Sequence, residues 1–182
     1  MARTPGLVPL AVTMALMAAG VRPDFSFKVA TLSGGTLADE DFRGKILVVD
    51  IWATWCGPCR MVIPHLVKIQ EKYRARGVAV LGLNSDDDAA TGLGRQAVMR
   101  FVGEMGINYP IGLMNPETYA EVSSVMGSSP GSGFSLPTTI VLSRDGRVVR
   151  GYPGYFFGQE REIEELITGI LASETPAAPA NP

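Results

Sequence analysis

Cysteine and histidine are nearly absent from this chain: it has two cysteines, Cys56 and Cys59, and one histidine, His65, in 182 residues. That scarcity excludes a structural zinc site, which needs four converging nitrogen or sulfur ligands. His65 lies six positions past Cys59, about 120° round a helix from it, and reads as a helix-surface residue without a role. An excess of charge of one sign is also lacking. Sixteen Lys and Arg against 18 Asp and Glu leave a net charge of −2, which gives no electrostatic reason to bind nucleic acid. Internal repeats and domain linkers are missing too. With 46% hydrophobic residues, this is the composition of one ordinary domain with a sizeable core.

Charge disappears altogether between Thr4 and Val21, an apolar run that follows Arg3 and ends in Ala18-Ala19-Gly20. This is the layout of a secretory signal segment. A spanning helix needs about 20 apolar residues, so an uncleaved N-terminal membrane tether is the alternative. A buried first helix of a cytoplasmic protein is the other. At the far end, Ser173–Pro182 is rich in Ala and Pro and reads as a disordered tail. The expected division is 1–21 signal segment or anchor, 22–172 domain and 173–182 tail.

What is present is concentrated in Val48–Ile63, VVDIWATWCGPCRMVI. Ile46–Trp52 is too apolar and too continuous for a half-exposed strand and reads as a buried central one. Pro58 suits the first turn of a helix, where a missing N–H costs nothing. Cys56 then stands at the helix mouth, facing unpaired N–H groups and the positive end of the dipole. A thiolate there is stabilised, and its pKa should fall below the free value of roughly 8.5. Cys59 lies about one turn further in and less exposed. The pair can open and close as a disulfide, with Cys56 attacking and Cys59 resolving. A purely structural disulfide would close so small a loop that it would stabilise little.

Elsewhere the pattern is that of an α/β chain. Phe25–Leu32 alternates into Ser33-Gly34-Gly35, a short strand and turn. Leu37–Lys45 is polar, with a turn at Arg43-Gly44. Val62, Leu66, Ile69 and Tyr73 give the helix after Cys59 a buried stripe. Pro64 should kink it, and it should end near Arg76-Gly77. Val78–Asn84 is a second buried strand, parallel to the first. Leu93, Ala97, Phe101 and Met105 predict an amphipathic helix. Tyr109–Leu113 predicts a strand, and Pro116–Met126 a helix with Pro116 in its first turn. After the loop Gly127–Phe134, Thr138–Ser143 and Arg147–Tyr152 flank Asp145-Gly146, a hairpin signal. Ile163, Leu166, Ile167 and Ile170 mark the buried face of a last helix.

The chain resembles the thioredoxin superfamily, and within it the TlpA/ResA-type extracytoplasmic thiol–disulfide oxidoreductases. The matching pieces are Pro23-Asp24-Phe25, Phe42-Arg43-Gly44-Lys45, Trp52-Ala53-Thr54-Trp55-Cys56-Gly57-Pro58-Cys59-Arg60, Pro64 and Leu136-Pro137-Thr138-Thr139. The resemblance runs from Val21 to Leu171. It implies a thioredoxin-like α/β fold, a mixed central sheet with helices on both faces and an αβ insertion before the terminal hairpin. It also implies a location in the periplasm or on the outer face of the cytoplasmic membrane. The implied activity is reduction of disulfides in exported proteins, with apocytochrome c one such substrate, recharged by a membrane thiol donor and without cofactor or metal. Gly57-Pro58 between the cysteines matches the reducing members.

Asp50, in the middle of an apolar strand, should be buried with its pKa pushed up. The resemblance gives it the proton of Cys59 to take and return. Without the resemblance it reads as an acid at a frayed strand end, satisfied by water. Pro137 is implied to follow a cis bond that leaves Leu136 backbone groups free to hold a peptide as an added strand. Substrate contacts are then expected at Trp55, Gly57, Pro58, Leu136, Pro137 and Thr138. Asp86-Asp87-Asp88 reads as a charge cluster at a helix start. Asp87, three after Asn84, falls where ResA-type proteins place an active-site glutamate. Two rival functions use the same thiols. A copper(I) chaperone would use them as soft ligands, although no further ligand is placed to converge on them. A peroxiredoxin-like peroxidase would share the fold but needs a peroxidatic cysteine outside the CxxC.

Overall fold

The computed structural model describes residues 25–173, apart from 88, 90, 91, 130 and 131. The apolar run Thr4–Val21 and the chain after Ser173 lie outside the described residues. Among the described residues no helix is long and apolar enough to cross a membrane.

The organising strand is β3, Ile46–Trp52, with all seven residues buried. It lies parallel to β4, Val78–Asn84, and antiparallel to β6, Thr138–Leu142. Both neighbours are wholly buried too; β3 and β4 read as apolar runs for that reason, whereas β6 opens on two threonines and reads only as a hairpin arm. Outside them lie β1, Lys28–Thr31, β2, Thr36–Ala38, β5, Ile111–Leu113, and β7, Val148–Pro153. The sheet order is β2-β1-β5-β4-β3-β6-β7. Only β3–β4 and β4–β5 are parallel, so the sheet is mixed as expected.

Alternation along β3 divides the core in two. Ile46, Val48 and Trp52 join the cluster under α1, Cys59–Tyr73, and α4, Gln159–Ser173. Leu47, Val49 and Ile51 join a second cluster with Phe25, Phe27, Phe42 and Val122, the last from α3, Pro116–Val125. On α1 the buried residues include Val62, Leu66, Ile69 and Tyr73, the stripe that the spacing predicts. Each such side chain contributes roughly 1.5–3 kcal/mol on burial. A 3-10 turn, Arg74–Arg76, continues α1, and Gly77 ends it at φ +79°. Only glycine takes that left-handed conformation without strain.

Five expectations change. The stripe of α2, Gly92–Glu104, is Gly94, Val98 and Phe101 rather than Leu93, Ala97 and Phe101; Leu93 is 81% exposed. An i, i+4, i+7 stripe fits a 3.6-residue period better than i, i+4, i+8, and it begins on a glycine that carries no apolar signal. Asp86 and Asp87 are not at a helix start, because α2 begins only at Gly92. The polar stretch Leu37–Lys45 takes in the end of β2 and a 3-10 turn, Asp39–Phe42, and β2 pairs with β1 as a hairpin. The strand expected at Tyr109–Leu113 is only Ile111–Leu113. At the chain's end, α4 includes Ser173, the first residue assigned to the tail.

α3 is tied down at its start. Asn115 accepts the Thr118 N–H at 2.9 Å, and its side-chain amide donates to the Lys28 carbonyl at 2.9 Å. That one residue caps the helix and fastens it to β1, which sets one wall of the groove beside the cysteines.

Candidate active site

Cys56 and Cys59 are joined as a disulfide where β3 gives way to α1. The loop between them is held from beneath. The Cys56 N–H donates to the Ala53 carbonyl, and the Thr54 N–H donates to both oxygens of Asp86, at 3.2 and 3.1 Å. Asp86 is in turn fixed by the Asn84 side-chain amide at 2.9 Å. Of the two described acids of the Asp cluster, Asp86 is therefore the one turned inward, while Asp87 is exposed beside the same groove. Which acid turns inward depends on the path of the loop leaving β4, and that path has no local sequence signal.

At the mouth of α1 the Cys59 N–H donates to the Cys56 sulfur at 3.2 Å. A donor aimed at that sulfur, together with the first-turn N–H groups, favours its anionic form. Cys56 lines the groove at 4% exposure, whereas Cys59 is completely buried behind it. This is the asymmetry expected of an attacking and a resolving cysteine. Trp55, next to Cys56, is 73% exposed, while Trp52 is buried and stacked on Phe101 at 4.9 Å.

Beside the disulfide runs an open groove of about 900 Å³. Trp55, Cys56, Gly57 and Pro58 form one side. Met114, Pro116 and Tyr119 form the other, with Phe134 and Leu136 at the end. The Tyr119 and Phe134 rings meet at 4.8 Å and make a continuous apolar wall. A Cβ at Gly57 would meet no atom within 4 Å, so this position between the cysteines faces open space. Sequence reading missed Met114, Tyr119 and Phe134. They belong to the insertion and the following loop, and only the tertiary fold brings them to Cys56.

The Leu136–Pro137 bond is cis. Among the described residues no hydrogen bond engages the Leu136 backbone. Leu136 reaches the groove, but Pro137 and Thr138 do not. Both are buried, and the Thr138 hydroxyl donates to the Ser135 carbonyl at 2.5 Å. Of the six residues expected to touch substrate, these two are turned inward. As the first residue of β6, Thr138 spends its polar group in closing the turn.

Asp50 is fully buried, opposite Gly82 on β4 and Thr139 on β6. It is not at a frayed end. By alternation it shares the sheet face of Val48 and Trp52, which is the face covered by α1 and Cys59. Burial pushes its pKa from 3.8 to about 7, and a hydrogen bond from the Thr139 hydroxyl at 3.4 Å opposes the rise. Its other oxygen, Oδ2, has no hydrogen-bond partner among the described residues. Gly82 lets Trp52, Tyr109 and Ile111 crowd against that part of the sheet; a Cβ there would sit 2.8 Å from the Trp52 Nε1. Burial and the neighbouring Asp50 charge raise the pKa of the Tyr109 hydroxyl well above its ordinary value. A buried acid that titrates near neutrality, on the same face as a resolving cysteine, is suited to exchange that cysteine's proton.

The family model for Redoxin matches residues 18–167. The thiol-disulfide oxidoreductase ResA of Bacillus anthracis is 27% identical over 151 residues, covering 83% of this chain and 76% of that one. The protein of the same name from Bacillus subtilis is 27% identical over 150 residues, covering 82% and 75%. Among solved structures, a putative thiol:disulfide interchange protein DsbE from Chlorobium tepidum superposes with a TM-score of 0.66. It is 25% identical, with 82% of this chain and 95% of that chain covered.

Proposed function

The chain belongs to the Redoxin family and is a thioredoxin-like thiol–disulfide oxidoreductase of the ResA type, and from that premise we propose that it reduces disulfides of exported proteins through Cys56 and Cys59. In the reducing direction the Cys56 thiolate attacks one sulfur of a substrate disulfide. A mixed disulfide forms and the first substrate thiolate leaves. Cys59 gives its proton to Asp50 and attacks the Cys56 sulfur, which closes the Cys56–Cys59 disulfide and releases the second substrate thiolate. Two electrons pass to the substrate. The closed disulfide is the product state, and a dithiol donor must reopen it.

The observation that carries this reading is the pairing of Cys56, at the groove and holding a backbone N–H on its sulfur, with a buried Cys59. Protein substrates suit the groove, whose apolar wall lies beside an unengaged Leu136 backbone able to pair with an extended chain. Trp55, Gly57, Pro58 and Leu136 line that groove and Asp87 is at its rim; Pro137 and Thr138 support Leu136 from behind. The uncharged run Thr4–Val21 supports export. A membrane thiol donor and apocytochrome c as substrate rest on analogy with the ResA-type relatives.

The test is capture. Cys59→Ser, expressed in cells with its N-terminal segment intact, should hold exported proteins in mixed disulfides through Cys56. Adducts made only with cytoplasmic proteins would overturn the assignment of substrate and compartment.

A further inference from the structure

A fully buried chain of polar side chains runs from α4 to Asp50, and beyond Asp50 itself the thiol chemistry of Cys56 and Cys59 makes no direct use of it. Gln159 opens α4 at 1% exposure; Thr139 and Asp50 are wholly buried. The Phe156 backbone N–H donates to Gln159 Oε1 at 3.3 Å. Gln159 Nε2 donates to Thr139 Oγ1 at 3.5 Å, and the Thr139 hydroxyl donates to Asp50 Oδ1 at 3.4 Å.

The direction of this chain is set at its outer end. A backbone N–H can only donate, so it selects the oxygen of the Gln159 amide and turns the NH₂ toward Thr139. Thr139, accepting from Gln159, then has its single proton left for Asp50. All three bonds are polarised toward the carboxylate. The last of them occupies Oδ1, while Oδ2 has no partner among the described residues.

We propose that Gln159 and Thr139 are positioning residues that commit Oδ1 of Asp50 to a fixed hydrogen bond and present Oδ2 as the oxygen that takes the Cys59 proton. The proposal rests on the proton-acceptor role given to Asp50. The other groups around the acid do not supply this orientation. β4 contributes Gly82, which has no side chain. Tyr109 interacts with Asp50 through charge alone. α1 offers Cys59, the proton's source, and α4 contributes uncharged Gln159 and Ile163.

Removing the relay removes a hydrogen bond to the ionised carboxyl, so Asp50 should become harder to ionise. Such a bond is worth about tenfold in the ionisation equilibrium, or about one pH unit. The experiment has two readouts on the full chain. Infrared difference spectroscopy follows the Asp50 carboxyl titration in the oxidised protein. Stopped-flow absorbance follows the reduced protein with dithionitrobenzoate, where the second thionitrobenzoate release reports resolution by Cys59.

Thr139→Val and Gln159→Met should each move the Asp50 titration up by about one pH unit and slow the second release about fivefold at neutral pH, as the ionised fraction of Asp50 falls from about a half to about a tenth. Thr139→Ser, which keeps the hydroxyl, should restore both. The double variant should show no more than Thr139→Val alone, because Gln159 acts through Thr139. Since Gln159→Met also loses the Phe156 contact, Thr139→Val tests the relay without disturbing the start of α4. An Asp50 titration unmoved by either variant overturns the proposal, as do effects of the two that add in full. The parent reading fails separately, if Asp50→Asn leaves the second release unchanged; the infrared titration still decides whether the relay exists.

Discussion

On the α3 face of the sheet, β3 places Leu47, Val49 and Ile51 and β4 places Ala79, Leu81 and Leu83, all apolar, against Phe25, Phe27, Phe42 and Val122. On the α1 face the same two strands place Asp50 between Val48 and Trp52, and a bare Gly82 opposite it. Asp50 Oδ2, Trp52 Nε1 and the Tyr109 hydroxyl, which have no hydrogen-bond partner among the described residues, belong to this second face. A buried polar atom without a partner costs about 1–3 kcal/mol. Thr118 leaves a hydroxyl unpaired on α3 itself, but no strand residue of β3 or β4 does so on that face. Because side chains alternate along a strand, seven consecutive residues carry two different functions. One face supplies stability, and the other uses some of it to bury an acid, Asp50, on the side of the sheet that α1 and Cys59 cover.

The largest expected effect lies at the groove. Cys56→Ser should abolish disulfide reduction, and Cys59→Ser should accumulate the mixed disulfide, detected by mass spectrometry of the trapped adduct. An adduct formed through Cys59 in Cys56→Ser would reverse the two roles.

Next in size is Asp50→Asn, which tests the acid on the costly face. The first attack should proceed nearly unchanged, while the resolving step slows by about 10²–10⁴, the range of general-base assistance. The deficit should shrink as pH rises and Cys59 ionises unaided. A resolving step unchanged from about pH 6 to about pH 9 would make Asp50 structural.

The opposite face should respond in stability alone. Ile51→Ala removes a wholly buried side chain from the apolar cluster and should cost about 2–5 kcal/mol by denaturant unfolding. The Asp50 titration should stay where it is. A shift in that titration would mean that the faces are coupled through β3.

Asp50→Asn also separates the faces thermodynamically. With its pKa raised from 3.8 to about 7, folded Asp50 keeps a proton that the unfolded chain has already released. Its contribution to stability therefore falls as pH rises through that interval and is fully unfavourable above about 7. In the oxidised protein the Asn variant should match the parent near pH 4 and exceed it by of the order of 4 kcal/mol at about pH 8. A difference independent of pH would contradict the buried acid as its source. The smallest effect belongs to the cap of α3. Asn115→Ala should cost about 1 kcal/mol, and the rate with dithionitrobenzoate should be unaltered because only the far wall of the groove loosens.

Much of this was readable in the chain itself. Ile46–Trp52 and Val78–Asn84 are buried on both faces, so their apolar runs announced interior strands without any knowledge of their neighbours; Thr138–Leu142, equally buried, showed in the chain only as one arm of the hairpin around Asp145-Gly146. The α1 stripe followed from helical spacing alone, and the two cysteines followed from their separation and from Pro58. These features depend on interactions within a few residues, where spacing in sequence determines spacing in space. Asp50 was visible as an anomaly because a lone carboxyl group in an apolar strand is costly to bury.

What the chain did not disclose involves partners far apart in sequence. Gln159 looks like any polar residue in the first turn of a helix; its meaning comes from Thr139, 20 positions earlier, and from Asp50, which is 89 positions from Thr139. Tyr119 and Phe134 become a groove wall only when α3 and the following loop are folded beside Cys56. The same holds for Asp86 among its neighbours, for Thr138 turned inward, and for the α2 stripe that begins on Gly94. In each case the deciding contact is made across strands or between layers. Local propensity has no term for such contacts, and only the closed tertiary structure brings the groups together.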